Sequence, residues 1–194
     1  EDNPMRVSHI RPILAAAALG LAISGQQAGA QAPDNITFNV AGPATWNLDG
    51  NWLPAFVPQA VFNEVAVIGA SRSVFVDDTP PAVGGIIMDS STLEIRSGGN
   101  LTVAPGSTAA GNIVMGQSVN TNLIVRRGGT LTAQGLTTGG GIGTQLTLGE
   151  TGGAGTSTLS VTSGTLNRVT RIVGPNVNFT SSGNLTFGGA GTLN

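Results

Sequence analysis

Cysteine, lysine and tyrosine are absent from this chain of 194 residues, and histidine occurs once, as His9. The lack of cysteine excludes disulfide bonds, thiolate metal sites and cysteine nucleophiles. A single histidine, placed close to the N-terminus, excludes histidine metal clusters and Ser-His-Asp chemistry in the rest of the chain. Carboxylates, arginines and hydroxyls are therefore the reactive groups that the sequence offers.

Charge is also scarce, since 9% of the residues are charged and the formal net charge is -2. This balance gives no basic surface for nucleic acid or for anionic membranes. Disorder is not expected, because 40% of the residues are hydrophobic and most of the others are uncharged Gly, Thr, Ser and Asn. Good helix formers are rare after residue 33, so the composition predicts strands and tight turns, and hence an all-β protein.

Residues 1–30 are typical of an export signal. A short basic region after Met5 is followed by an apolar run at 13–23 and by small residues that end at Ala30. Such a run is too short to cross roughly 30 Å of hydrocarbon as a helix, so we expect cleavage rather than anchoring. Residues 1–4 precede the translation start that this pattern indicates. The mature chain is predicted to be secreted or at the cell surface, without a membrane span and without histidine.

Three short phrases recur through the second half of the chain, at intervals of about 26 to 36 residues. The first, L-x-[IVF], begins at Leu93, Leu123, Leu159 and Leu185. The second, a leucine flanked by Asn or Thr, is centred on Leu101, Leu131, Leu166 and Leu193. The third, a short apolar run, begins at Ile86, Ile113, Leu146 and Arg171. Their constant order predicts units of three short strands, separated by Gly-rich turns, over residues 86–194.

Units of this kind predict a right-handed parallel β-helix, or a closely related β-solenoid. One unit is too thin to bury its apolar side chains, whereas stacked units pair like strands about 4.8 Å apart and share one interior. Alternation along a strand then directs Leu101 and Leu131 inward and their neighbours outward. Glycines are expected at the corners, where positive φ or close backbone approach is needed: Gly98, Gly99, Gly128, Gly129 and Gly164. An antiparallel sandwich is the alternative, but it does not explain the order of the phrases.

Residues 31–85 differ in composition and contain both tryptophans, Trp46 and Trp52. The first unit of a solenoid exposes an apolar end and unpaired strand edges, which invite aggregation unless they are covered. We predict that this segment supplies the first strands and a cap in which the two tryptophans lie over that end. The alternative is a glycan-binding platform on which the same two rings stack against sugars.

The pattern W-N-x-x-x-N-W-x-P-x-x-x-P from Trp46, followed by VAVIG and G-G-x-L-T units, resembles bacterial secreted proteins with autotransporter-passenger-like β-helix repeats. The resemblance covers roughly residues 36–194. The chain is similar to large exported proteins of environmental bacteria. These include adhesins and surface-layer-like proteins and often carry a C-terminal sorting anchor. The resemblance implies a structural or adhesive module with no catalytic residues, whose partners are extracellular glycans or cell-surface components. It also implies a chain truncated inside a strand at Asn194.

The acidic residues predict neither a metal site nor a cofactor site. The adjacent pair Asp77 and Asp78 is interpreted as the start of a turn, because calcium requires several converging oxygens. Stacking is expected to bring Glu94 near Arg126, and we interpret this as an interstrand ion pair, since no second carboxylate is expected at the matching position. Polysaccharide lyases and hydrolases require clustered carboxylates. Such an enzyme is therefore the alternative only if its catalytic residues lie beyond Asn194.

The outward neighbours of Leu131, Thr130 and Thr132, are candidate glycan contacts together with the two tryptophans. In stacked units, Asn and Thr pairs would form a flat, uncharged and weakly polar face, as in ice-binding solenoids or glycan-contact surfaces. Asn and Thr are also ordinary members of strand ladders. The sequence thus predicts a non-catalytic structural or adhesive module, with a carbohydrate-active β-helix and an ice- or glycan-binding face as alternatives.

Overall fold

The computed structural model describes residues 34–116 and 120–188, and this part of the chain is all-β. Two short 3-10 helices occur at Asp49–Asn51 and Ala60–Phe62. The predicted signal peptide (1–30) and Leu193 lie outside the described residues. The strands are β1 (Asp34–Phe38), β2 (Gly42–Thr45), β3 (Trp52–Leu53), β4 (Glu64–Ile68), β5 (Arg72–Val76), β6 (Gly85–Met88), β7 (Thr92–Ile95), β8 (Asn100–Val103), β9 (Asn112–Met115), β10 (Asn122–Val125), β11 (Thr130–Thr138), β12 (Gln145–Gly149), β13 (Ser157–Leu166), β14 (Val169–Val173), β15 (Val177–Ser181) and β16 (Leu185–Phe187).

These strands form two sheets that are almost wholly parallel. The six-stranded sheet has the order β14-β12-β10-β7-β5-β2. The ten-stranded sheet has the order β15-β13-β11-β9-β6-β4-β1-β3, with β8 beside β11 and β16 beside β13. Within the described ranges, the antiparallel pairing is that of β1 with β3. The prediction of an all-β protein with parallel strands is confirmed, and the antiparallel sandwich is wrong.

The long strands β11 and β13 divide the ten-stranded sheet into two rows, because each pairs with different strands along its length. The long row contains β1, β4, β6, β9, the second halves of β11 and β13, and β16. The short row contains β8, the first halves of β11 and β13, and β15. From β6 onward the chain visits the long row, the six-stranded sheet and the short row in that order on each turn. We call successive parallel strands of one row, or of the six-stranded sheet, rungs.

The core consists of apolar columns that run across the rungs. In the short row, Leu101, Leu131 and Leu159 occupy matching positions, and all three are fully buried. Leu93 and Leu123 repeat this arrangement in the six-stranded sheet. Burial of a leucine side chain contributes about 1.5–3 kcal/mol, and the burying surface comes from neighbouring rungs. The columns therefore couple the stability of each rung to that of the next.

The predicted register is right for the first units and wrong by one strand for the later ones. Leu146 was predicted to follow Ile113 in the third phrase, but it pairs with Leu123. Leu159 was predicted to follow Leu123 in the first phrase, but it pairs with Leu131. Leu166 is buried, but it lies in the long row rather than beside Leu131. Arg171 and Leu185 are displaced in the same way. The cause is that β11 and β13 each pass from the short row to the long row without a turn. A count of strands that relies on turns therefore treats two strand positions as one.

The corners between the six-stranded sheet and the short row require glycine, as predicted. Gly98 and Gly128 have φ angles of +87° and +78°, a region that side chains with a Cβ disfavour. Gly129 is needed for a different reason, since a Cβ there would lie 2.8 Å from the carbonyl oxygen of Ile95. These corners allow the backbone of one rung to lie directly against the next.

Trp46 and Trp52 are buried at the N-terminal end of the stack, with exposed fractions of 0% and 2%. Their rings meet edge to face at a centroid distance of 4.8 Å, and Trp52 Nε1 donates a hydrogen bond of 2.8 Å to the Trp46 carbonyl. Phe38 completes the cluster, 5.1 Å from the Trp52 ring. Trp52 begins β3, which lies at the outer edge of the ten-stranded sheet. Neither tryptophan presents an exposed ring face on which a sugar could stack in this structure.

Candidate functional site

The outer face of the short row carries two columns of uncharged polar side chains. On each rung, the two residues that flank a buried side chain point outward. The rungs lie about 4.8 Å apart, and alternate residues of a strand lie roughly 6.7 Å apart, so the side chains form a regular array. The first column contains Asn100, Thr130, Thr158 and Asn178. The second column contains Thr102, Thr132, Ser160 and Thr180.

Thr130 and Thr132, predicted to face outward, do so: Thr130 is half-buried and Thr132 is exposed. The next pair along the array was missed, because the register error placed Thr165 and its neighbour there. That rung is instead occupied by Thr158 and Ser160. Thr158, Leu159 and Ser160 repeat the polar, apolar, polar order of residues 130–132, and this repeat is the signal in the sequence that identifies the pair.

A shallow groove with a volume of about 280 Å³ runs beside the second column and crosses three rungs. The hydroxyl of Thr162 donates to Gln134 Oε1 over 3.2 Å, and the hydroxyl of Thr180 donates to Ser160 Oγ over 3.0 Å. These contacts connect neighbouring rungs, so the walls of the groove are linked along the stack. Its polar lining residues are Thr132, Gln134, Ser160, Thr162, Thr180, Ser181 and Ser182, and Ala133 and Val161 complete the lining.

A second groove of about 290 Å³ lies on the adjacent long row. It opens over Gly135, which leaves room for the amide of Asn112; a Cβ at Gly135 would lie 2.5 Å from Asn112 Oδ1. Ser163 and Asn184 continue the same line on later rungs. Because Gln134 and Gly135 are consecutive, the two grooves are neighbours. Neither is lined by a charged residue.

Four charged residues come together at the C-terminal ends of the inner strands of the six-stranded sheet, namely Glu94, Arg96, Arg126 and Glu150. Arg126 Nε donates a hydrogen bond to Glu94 Oε1, as the predicted ion pair requires. Arg126 Nη1 lies 3.2 Å from Glu150 Oε2, and Arg96 Nη2 lies 3.3 Å from Glu94 Oε2. The positions that match Glu94 on the next two rungs are Ile124 and Thr147, so no carboxylate lies at the matching position, as expected. The second carboxylate, Glu150, reaches Arg126 from a position after the end of β12. Glu150 was overlooked because the register error assigned β12, the strand before it, to a different row.

The arginines control the ionisation of Glu94. Burial alone raises the pKa of its carboxyl, but the hydrogen bond and charge of Arg126, together with Arg96, outweigh this and lower the pKa below its ordinary value of 4.5. The hydrogen bond from Arg126 to Glu94 raises the pKa of the guanidinium, against the effect of burial. Both groups therefore remain ionised at neutral pH. A general acid for glycoside cleavage requires the opposite shift.

Arg96 also contacts an aromatic ring, with its Cζ atom 3.8 Å from the centroid of Phe75. This cation–π contact contributes about 0.5–1 kcal/mol at an exposed site. Phe75 and Glu94 occupy matching positions on neighbouring rungs. Arg96 is thus held by contacts with two neighbouring rungs, which indicates a stabilising role for this side chain.

The acidic pair Asp77 and Asp78 lies on the surface after β5. Asp78 Oδ2 accepts a hydrogen bond of 2.8 Å from Asn47 Nδ2, which connects this turn to the loop of the N-terminal segment. Among the residues that the structure describes, no group of three or more His, Cys, Asp or Glu side chains is arranged to hold a metal ion.

These observations define an all-β protein whose parallel strands stack in register and whose short row carries an uncharged polar outer face. No family model, curated protein or solved structure matches the chain. Over residues 34–116 and 120–188, the structure contains no helix that is both long enough and apolar enough to cross a membrane.

Proposed function

We propose that the chain is a right-handed parallel β-helix, a β-solenoid, that serves as a non-catalytic structural or adhesive module of an exported protein. The observation that carries the proposal is the cyclic path of the chain, which returns to each row in turn and places matching leucines in register. A path of this kind forms a rod whose length increases with the number of rungs. Such a rod can extend away from the cell surface and present a long face to a binding partner.

The separation of core from surface supports the same role. Leu131 is fully buried, while Thr130 and Thr132 on the same strand face outward. Outward residues can therefore vary without disturbing the interior, and the rod holds them at a constant spacing. With so few charges, contacts of this surface depend on hydrogen bonds and shape rather than on long-range attraction.

The N-terminal sequence supports an extracellular setting. Residues 1–30 have the basic, apolar and small-residue regions of an export signal. The pattern that begins at Trp46 resembles autotransporter-passenger-like proteins, among which adhesins occur. Secretion or display at the cell surface, with extracellular glycans or cell-surface components as partners, follows from these two features.

A carbohydrate-active enzyme is the second candidate, because Arg126 brings Glu94 and Glu150 together. Glycosidases use two carboxyl groups, one of which must donate a proton. Here both carboxylates bind the same arginine, and the pKa of Glu94 is lowered, which opposes proton donation at neutral pH. The arrangement favours a structural ion-pair cluster over a catalytic pair.

The two candidates are separated by testing the exported full chain for adhesion and for polysaccharide cleavage. Cells that display the chain are expected to adhere to glycan-coated surfaces more than cells without it, and to release neither reducing ends nor unsaturated uronates. Glu150→Gln is expected to leave adhesion unchanged. Cleavage that this substitution abolishes would establish the enzyme instead. Small-angle X-ray scattering tests the rod directly, and a compact rather than elongated particle would contradict the solenoid.

A further inference from the structure

We infer that the groove beside Thr132, Ser160 and Thr180 binds a neutral, linear polysaccharide that lies along the stack, perpendicular to the strands. This inference rests on the proposed adhesive role and names the class of its ligand. The groove crosses three rungs of the short row and is adjacent to a second uncharged groove on the long row.

The chemistry of the groove selects an uncharged ligand. Its polar side chains are hydroxyls and amides, which both donate and accept hydrogen bonds. A polyol presents the same two capacities, whereas a polyanion would require cations that the groove lacks. The side chain of Arg127 does not line the groove and is directed instead to the carbonyls of Gly152 and Gly155, at 3.4 and 3.3 Å. A uronate polymer therefore finds no partner for its carboxylates in this groove.

The repeat of the groove selects a linear ligand. Thr132, Ser160 and Thr180 occupy the same position on successive rungs, so a hydroxyl recurs about every 4.8 Å. Three rungs offer a length of roughly 10 Å, and the second groove widens the contact. An extended chain of sugars can meet a hydroxyl oxygen on each rung, which a single compact sugar cannot.

The side chains are held in place before a ligand arrives. Threonine has few χ1 rotamers in a strand, and the Thr180–Ser160 and Thr162–Gln134 hydrogen bonds connect adjacent rungs. Ordering of side chains reduces binding affinity, so preordered side chains reduce that loss. A rigid row of weak donors thus suits a long ligand that makes many equivalent contacts.

The shape of the surface favours a polysaccharide over ice. An ice-binding face must be flat to meet a crystal plane, whereas this surface is concave beside the second column. Ice binding therefore becomes an alternative outcome of the test.

The test measures binding of the full chain to two neutral linear polysaccharides, a soluble β-glucan and a galactomannan, with polygalacturonate as the charged counterpart. Isothermal titration calorimetry and affinity electrophoresis give the affinities. The variant Thr132→Val with Thr180→Val removes two hydroxyls while keeping β-branched strand residues. We expect it to weaken binding of the neutral polymers about tenfold or more, because each lost hydrogen bond costs about fivefold. Thr147→Val, on the outer face of the six-stranded sheet, is the matched control and should change nothing.

Three outcomes would overturn the inference. They are equal binding of polygalacturonate, equal losses in the control and the groove variant, or inhibition of ice recrystallisation without binding to either neutral polymer. Circular dichroism and thermal unfolding of both variants separate a binding defect from a folding defect. Adhesion that persists although no neutral polysaccharide binds would reject the ligand class and leave the adhesive module intact. A compact particle in scattering would reject the module itself.

Discussion

The Nη1 atom of Arg126 lies 3.2 Å from Oε2 of Glu150, which follows the next rung of the six-stranded sheet. The same guanidinium binds Glu94 on the preceding rung, so one cation connects three rungs. Arg126→Met keeps the apolar stem and removes this connection. Because the arginine side chain is 39% exposed, solvent screens the charges, and we expect a loss of about 0.5–1 kcal/mol in urea unfolding.

Salt provides the control for this prediction. Surface ion pairs are strongly screened at 1 M ionic strength, where the Debye length is about 3 Å. The stability difference between the wild type and Arg126→Met should therefore shrink at high salt. A difference that stays constant would assign the effect to packing of the stem instead.

Glu94 should make stability depend on pH in a defined direction. Its pKa is lowered in the folded state relative to the ordinary value of 4.5, which applies to the unfolded chain. Its stabilising effect is therefore complete above about pH 4.5 and is lost as the pH falls through the lower folded pKa. The advantage of the wild type over Glu94→Gln, from urea unfolding, should be largest near neutrality and vanish in acid. An advantage that remains level down to pH 3 would contradict the role of the arginines.

Gly129 and Gly140 form a matched pair for testing the close approach of rungs. A Cβ at Gly129 would lie 2.8 Å from the carbonyl oxygen of Ile95, whereas a Cβ at Gly140 would have no atom within 4 Å. We expect Gly129→Ala to lower the unfolding free energy by about 2 kcal/mol or more, because backbone must shift. Gly140→Ala should change it by no more than about 0.5 kcal/mol. Equal effects in thermal or urea unfolding would contradict this difference between the corners.

The all-β class with parallel strands could be predicted from the sequence because the same short pattern of residues recurs along the chain. Leucines at Leu101 and Leu131, each between polar neighbours and after a glycine corner, require parallel stacking to be buried. The ion pair of Glu94 with Arg126 followed from the same stacking. Both predictions concern the early units, in which a turn separates each strand from the next.

The later register could not be predicted, because the boundary between two rows there is not marked by a turn. Strand β13 pairs with β15 through its first half and with β16 through its second half, so one strand serves two rows. Counting turns then moves Leu159 and Glu150 to the wrong places. The burial of the tryptophans depends on packing against Phe38, which the local sequence does not reveal.

Asn63 links two segments that are distant in sequence, and its replacement should be costly. It is buried with φ +63°, and its Oδ1 atom accepts hydrogen bonds from the backbone N–H groups of Thr108 and Ala109, at 2.9 and 2.6 Å. Asn63→Ala leaves those donors without this acceptor and adds a backbone penalty, so we expect a loss of about 1–3 kcal/mol in urea unfolding. Asn63→Asp keeps the acceptor oxygen, and Asn63→Gly relieves the backbone alone. Because Asn63→Gly removes the acceptor but relieves the backbone, its stability should lie between those of Asn63→Ala and the wild type. An alanine variant as stable as the wild type would contradict this role of Asn63.

The register of the later rungs can be tested by crosslinking, since the chain has no cysteine of its own. Thr132 and Ser160 occupy matching positions on neighbouring rungs, where parallel strands lie about 4.8 Å apart, within the range that a disulfide spans. Thr132→Cys with Ser160→Cys should oxidise to a monomer that has lost both thiols, as thiol titration and intact mass measure. Turn counting would instead place Thr165 directly beside Thr130, whereas the structure pairs Thr165 with Thr137. Thr130→Cys with Thr165→Cys should therefore keep both thiols under the same oxidant, and the reverse pattern would show that the rungs are stacked in the other register.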